Sequence, residues 1–156
     1  MKTIVSIVST TAQHTLELGQ QIGSLIKNGI SIALKGDLGA GKTTFVQGLA
    51  KGLAVSEQYY ITSPTFSIIN EYPAQGLTLC HLDLYRLGSV EELEVIGFND
   101  LLDGTHLIVV EWPQLLEQDN FIFDLEIKFI LDKQYNRIID IIATKEKGKE
   151  LLSKLS

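Results

Sequence analysis

The 156 residues include a single cysteine, three prolines and only two arginines. Cys80 alone cannot close an intramolecular disulfide, which excludes the disulfide framework of a small secreted domain and points to a reducing compartment. So little proline, beside 45% hydrophobic and 21% charged residues, excludes the disordered and collagen-like classes. Nowhere do eighteen uncharged apolar residues follow one another, and the apolar run at residues 4–8 behind Lys2 is shorter than the ~7–15 residues of a secretory core. No membrane segment is expected, and a cytoplasmic location is the default.

Positive charge is scarce where nucleic acid would need it. Residues 83–126 hold eleven acids against Arg86 alone, within a net charge of −6 for the chain. Such a belt repels phosphate backbones and suits a basic protein partner, a divalent cation or plain solvation. The length fits one domain.

Strand and helix patterns alternate along that length. Residues 4–8 read as a strand, and Thr10-x-x-Gln13 has the form of a capping box opening a helix. Leu16, Leu18, Ile22, Leu25 and Ile26 share one face of it before Asn28-Gly29 ends it. Residues 30–34 suit a strand buried on both faces, followed by a glycine-rich loop and a helix over about 42–53. Residues 66–72 and 77–85 form a hairpin around a turn at 73–76, and Ser89-x-x-Glu92 caps a short acidic helix. Residues 107–110 are a second fully buried strand. Strands at 123–131 and 137–143 flank a turn at 132–136, and a polar helix starts near Lys147. The expectation is an α/β, three-layer P-loop NTPase-like fold, its mostly parallel central sheet extended by antiparallel strands.

Between the second strand and the second helix lies Gly36-Asp37-Leu38-Gly39-Ala40-Gly41-Lys42-Thr43, a full match to G-x-x-x-x-G-K-[ST] in the context that motif requires. Glycines let successive N–H groups turn inward on phosphate oxygens, and the helix behind adds its positive end. Lys42 supplies a mobile ammonium, Thr43 a hydroxyl for Mg²⁺, and Asp37, Leu38 and Ala40 mainly backbone. A turn that only links strand to helix would not require Lys then Thr in the first turn. Two acids can complete a metal site: Glu111, ending the apolar run 107–110 in the Walker B manner, and Asp83, ending the strand before it. The plain alternatives are a surface acid at a strand end for Glu111 and an ion-paired acid for Asp83. Ser63-Pro64-Thr65-Phe66 occupies the stretch where P-loop proteins place a γ-phosphate-sensing loop, and reads equally as an ordinary turn. Cys80, His81 and His106 lack metal-ligand spacing and are read as structural or hydrogen-bonded, and Trp112 as core or interface.

In order, Gly36 to Phe45 of the loop and helix, Ser63-Pro64-Thr65-Phe66, Asn70-Glu71-Tyr72, His81-Leu82-Asp83-Leu84-Tyr85-Arg86-Leu87 and Glu111-Trp112-Pro113 resemble the TsaE family, formerly YjeE. The resemblance spans about Val5 to Ile142. It implies a bacterial cytoplasmic ATPase serving the threonylcarbamoyladenosine modification of tRNA beside the anticodon. In that family the protein works with TsaB and TsaD, meets tRNA through that complex, and uses ATP and Mg²⁺ to sustain repeated transfer cycles. The resemblance matches the family's P-loop Lys and Thr to Lys42 and Thr43 and its metal-associated Glu to Glu111; with Asp83 added from the strand-end reading, catalysis is expected at Lys42, Glu111 and Asp83, and the metal at Thr43, Glu111 and Asp83. Nucleotide contact falls to Gly36 through Thr44, with Thr11 and Lys133 near the family's adenine contacts. Asp37 stands where Glu is commoner, at a position that offers backbone. No Asn-Lys-x-Asp guanine-reading pattern occurs.

Two other functions use the same loop. A small-molecule kinase closes an arginine-bearing lid over the phosphates, and this chain has only Arg86 and Arg137 for it. A nucleotide-gated binding protein without useful hydrolysis of its own needs neither an arginine finger nor a water-positioning glutamine, and no motif for either is present.

Overall fold

A computed structural model describes residues 2–155. Its centre is the apolar run at residue 30, which forms β2 (Ile30–Gly36), and the run at residue 107, which forms β5 (His106–Glu111). The two pair in parallel, Ile30 opposite Leu107 and Leu34 opposite Glu111. Ile32, Leu34, Leu107 and Val109 are sealed on one face of the sheet, and Ala33, Ile108 and Val110 on the other. Strands buried on both faces read as continuous hydrophobic runs, the pattern of a covered parallel sheet.

Around this pair the sheet has seven strands in the order β1-β7-β6-β2-β5-β4-β3. On one side β4 (Thr78–Asp83) joins β5 in parallel, and β3 (Ile69–Pro73) closes that edge as the antiparallel arm of a hairpin. On the other side β6 (Leu125–Leu131) runs parallel to β2, and β7 (Arg137–Ala143) and β1 (Thr3–Ser9) follow antiparallel. Helices α1 (Ala12–Leu25), α2 (Lys42–Gly52) and α5 (Glu146–Ser153) cover one face. The short α3 (Val90–Val95), a 3₁₀ turn at Phe98–Leu101 and α4 (Gln114–Gln118) pack against the other. The expected three-layer α/β architecture is therefore present, with each fully buried Leu, Ile or Phe of the two cores contributing about 1.5–3 kcal/mol.

One contact between layers is unusually close. Gly19 and Gly23 on α1 face Gly48 and Gly52 on α2, and a β-carbon at any of the four would collide with the partner helix's backbone. Interaxial distance is set by the side chains at the crossing, so four glycines let the two helices meet backbone to backbone. The alignment is parallel: Gly19 lies by Phe45 and Gly23 by Leu49. Both helices thus begin at the same edge of the sheet.

Beyond shifts of one or two residues at several strand and helix ends, local structure differs from the sequence reading in four places. The cap of α1 is Thr11, whose hydroxyl accepts from His14 N–H at 3.0 Å, not Thr10. That helix stops at Leu25, before Asn28-Gly29. Ser89 stands at the cap of α3 but makes no side-chain capping bond. The strand expected from residue 66 starts only at Ile69, because Ile68 adopts φ 71° and its N–H turns back to Pro64 O at 2.7 Å. A β-branched residue at positive φ cannot continue a strand.

Candidate functional site

The glycine-rich loop leaves β2 at Gly36 and enters α2 at Lys42. Gly39 and Gly41 take φ of +82° and +105°, left-handed values that other residues resist, and they curl the loop into a cradle. Gly41 caps α2 without a side-chain bond. The first α2 N–H to bond back is that of Phe45, to Gly41 O at 3.0 Å, so the N–H groups of Lys42, Thr43 and Thr44 precede the ladder. Unpaired donors at a positive helix end form an anion site.

Lys42 is buried, and its ammonium rests on Gly36 O at 2.7 Å, 3.7 Å from Glu111 Oε1. Glu111 and Asp83 are the last residues of β5 and β4 and are direct neighbours in the parallel register. Both are buried, and both belong to the carboxyl edge where open α/β sheets hold ligands. Asp83 is engaged at both oxygens: Oδ1 accepts from Tyr85 N–H at 3.0 Å and Oδ2 from the Thr65 hydroxyl at 3.1 Å. Glu111 gives Oε2 to His81 Nε2 at 2.6 Å. These groups, with Thr43, Thr44, Ser63, Trp112 and Arg137, line a cleft of about 290 Å³ that also takes in Leu38, Gly39 and Gly41. A larger hollow of about 420 Å³ opens at the opposite end of the strands, around Gly29, His106 and Asp124, far from any loop residue.

Of the sequence-derived site, Leu38, Gly39, Gly41 to Thr44, Asp83 and Glu111 meet on the cleft, Gly36, Asp37 and Ala40 belong to its loop without lining it, and two residues stand apart. Thr11 and Lys133 are exposed and lie outside the cleft lining. The pairing Ser9↔Arg137 nevertheless sets the start of α1 and the turn at 132–136 side by side on the loop's edge of the sheet. Ser63-Pro64-Thr65-Phe66 is more than a turn, since Thr65 ties it to Asp83 and Phe66 stands exposed under the Arg86 guanidinium, 4.8 Å from its ring. Cys80 is buried as expected, and burial pushes its thiol up to about 12, with Glu71 and Asp103 adding to the rise.

Three contributions escaped the sequence reading. Arg137, counted there only as a scarce arginine, reaches from the head of β7 to donate its Nε–H to Ala40 O at 3.2 Å, and braces the loop from outside. Its signal was its scarcity, but only the β7 register places it. Trp112 is not core: φ 55° turns the chain after Glu111, and the half-exposed indole lies 5.3 Å from the Lys42 ammonium and 5.0 Å from the Tyr85 ring. A cation beside an indole face is stabilised by about 0.5–2 kcal/mol. His81, read as hydrogen-bonded, has Glu111 itself as its partner.

Among the described residues, no three His, Cys, Asp or Glu side chains gather into a cation site. One hydroxyl and two carboxylates fit Mg²⁺, which keeps several waters and takes one or two carboxylates with phosphate oxygens completing its shell.

The family model described as "Threonylcarbamoyl adenosine biosynthesis protein TsaE" matches residues 9–139, which span the loop, both acids and Arg137. The chain belongs to the TsaE family. Its similarity to the tRNA threonylcarbamoyladenosine biosynthesis protein TsaE of Treponema pallidum is 46% identity over 107 residues, covering 69% of this chain and 77% of that protein. With the TsaE protein of Aquifex aeolicus it shares 36% identity over 138 residues, 88% of this chain and 96% of the other. The crystal structure of Bacillus subtilis YdiB superposes with a TM-score of 0.82 at 28% identity, covering 99% and 95% of the two chains. The TsaE family's role, tRNA threonylcarbamoyladenosine biosynthesis, is the functional frame for this site. No helix among the described residues is long and apolar enough to cross a membrane.

Proposed function

We propose that this TsaE-family chain is a Mg²⁺-dependent cytoplasmic ATPase that acts on a TsaB–TsaD complex to sustain cycles of tRNA threonylcarbamoylation, and meets tRNA only through that complex. The observation that carries the reading is the convergence of loop, Lys42 and the neighbouring acids Asp83 and Glu111 on one cleft. Lys42 and the N–H groups at the head of α2 would take the β and γ phosphates, the ammonium exchanging Gly36 O for a charged acceptor. Thr43 would hold the metal with Glu111 and Asp83, each of whose oxygens accepts one hydrogen bond and keeps a second lone pair. A magnesium ion bound there supplies charge neutralisation between the phosphates. Thr11 and Lys133 are proposed to border the adenine.

Glu111 has one oxygen, Oε1, on the Lys42 side, where it can hold metal or orient the attacking water. Either role counts for more as charge develops on the γ-phosphoryl group than in the ground state. The acidic residues 83–126 suit a protein that avoids direct contact with tRNA. A kinase is disfavoured because neither arginine forms a lid: Arg86 covers Phe66 and Arg137 braces Ala40. The deciding experiment is ATP turnover by the purified chain with and without TsaB and TsaD. Slow release of phosphate alone and faster release with both partners supports the reading, and equal rates would refute the partnership.

A further inference from the structure

We infer that His81 is a positioning residue for Glu111, fixing which of its carboxylate oxygens faces the nucleotide. This rests on the hydrolytic reading above for its effect on turnover, though not for its geometry.

Successive side chains of a strand alternate between faces, so His81 and Asp83 on β4 point to the same side. The register sets Asp83 beside Glu111 and His81 beside Val109, two residues before Glu111. That common side is the one covered by α2, to which Val109 also belongs. His81 therefore lies immediately beneath the Glu111 carboxylate. It has no solvent exposure, and its Nε2 stands 2.6 Å from Oε2.

The protonation pattern follows from that distance. Two acceptors 2.6 Å apart would repel, so a proton lies between them and Nε2–H donates. The other nitrogen, Nδ1, is buried with no hydrogen-bond partner among the described residues. His81 thus acts through its Nε2–H, a donor with one task.

That task breaks the symmetry of Glu111. A free carboxylate presents either oxygen, and this one has Lys42 Nζ 3.7 Å away on its other side. Held at Oε2, Glu111 stops short of a tight ion pair with Lys42 and keeps Oε1 for metal or water. Without His81 the carboxylate is free to close on the ammonium, which the phosphates also need.

Three measurements test this. In ¹⁵N spectra of the imidazole of the whole chain, His81 should show a protonated Nε2, and Glu111→Gln should shift the Nε2 signal. A protonated Nδ1 with a bare Nε2 overturns the inference outright. His81→Phe, checked for folding by circular dichroism, should lower kcat for partner-stimulated ATP hydrolysis by about tenfold to a hundredfold while ATP affinity by calorimetry changes less than about fivefold. His81→Gln, whose amide can return an N–H at similar reach, should recover most of that loss. Wild-type kcat in His81→Phe, or no difference between Phe and Gln, also overturns it. If the wild-type chain itself fails to hydrolyse ATP with its partners, the hydrolytic reading fails, and the tautomer measurement still decides His81's part.

Discussion

The two halves of the sheet are built by different rules. In β4, β5 and β2 nearly every residue is buried on one face or the other, whereas β6, β7 and β1 alternate between more and less buried positions. The doubly covered half carries both acids, His81 and the start of the loop. The half-covered one carries hydrophobic rows, surface ion pairs and a single reach into the cleft, Arg137. Covering both faces keeps water from the strand ends and fixes their side chains, so charges there act at full strength in a set geometry. A strand with one wet face cannot hold a buried acid at such an end, and it contributes here by bracing backbone.

Substitutions in the doubly covered half should therefore reach function, and those in the other half should reach it weakly or only through stability. Lys42→Ala should remove tight ATP binding, a loss of a hundredfold or more, roughly 2.8 kcal/mol; unchanged affinity by calorimetry would sink the loop assignment. Glu111→Gln should keep ATP affinity within about tenfold yet lose most partner-stimulated hydrolysis, with Asp83→Asn milder. Wild-type hydrolysis by the Glu111 variant would move Asp83 into its place. Thr43→Ala should bind ATP with less dependence on Mg²⁺, since the loop N–H groups remain while a metal ligand is lost. Titrations with and without Mg²⁺ that shift by the same factor as in wild type would remove Thr43 from the metal.

From the half-covered side, Arg137→Ala should weaken ATP binding about threefold to tenfold by releasing Ala40 O. A loss as large as that of Lys42→Ala would erase the contrast between the halves. The smallest effect belongs to Lys35, which pairs with Glu117 at 2.8 Å and Glu126 at 2.9 Å on the partly exposed side of the sheet. Burial opposes ionisation of Glu126, yet the Lys35 hydrogen bond and charge, joined by Lys128, hold its carboxyl below its ordinary value of 4.5. That stabilisation is complete above the ordinary value and is lost as pH falls through the lowered one. Lys35→Met should thus cost at most about 1 kcal/mol at pH 7 and less below about pH 4, read from urea unfolding at both pH values.

The loop was legible in sequence because its chemistry is contiguous: eight neighbouring residues state the turn, the ammonium and the hydroxyl together. Glu111 and Asp83 were legible because each terminates an apolar run, and a run buried on both faces marks where its strand ends. His81 and Arg137 were not, since their roles depend on pairings thirty and ninety-seven residues apart, to Glu111 and to Ala40, which no local pattern encodes. The strand misread at residue 66 failed for a different reason. Phe66 and Ile68 alternate with Ser67 like a strand, but Pro64 O captures the Ile68 N–H, and the tertiary tie of Thr65 to Asp83 outweighs β propensity. Thr10 and Thr11 offer identical caps, and only the helix phase, with Thr15 buried and Ala12 exposed, selects the second.

The glycine contact between α1 and α2 makes the two helices mechanically one part. With no side chains in the seam there is nothing to repack, and sliding one helix along the other drives main chain into main chain. Thr11 at the head of α1 and Lys42 at the head of α2 therefore stand like the jaws of a fixed caliper, whose gap, on the proposed adenine contact of Thr11, a nucleotide would match but not stretch. Compliance must come from across the cleft, where Ser63, Thr65 and Tyr85 are tied to the sheet by single hydrogen bonds through Asp83 and its neighbours. If a nucleotide occupies the cleft, the stiff wall would limit its size, and the soft wall would be the side that moves to meet it.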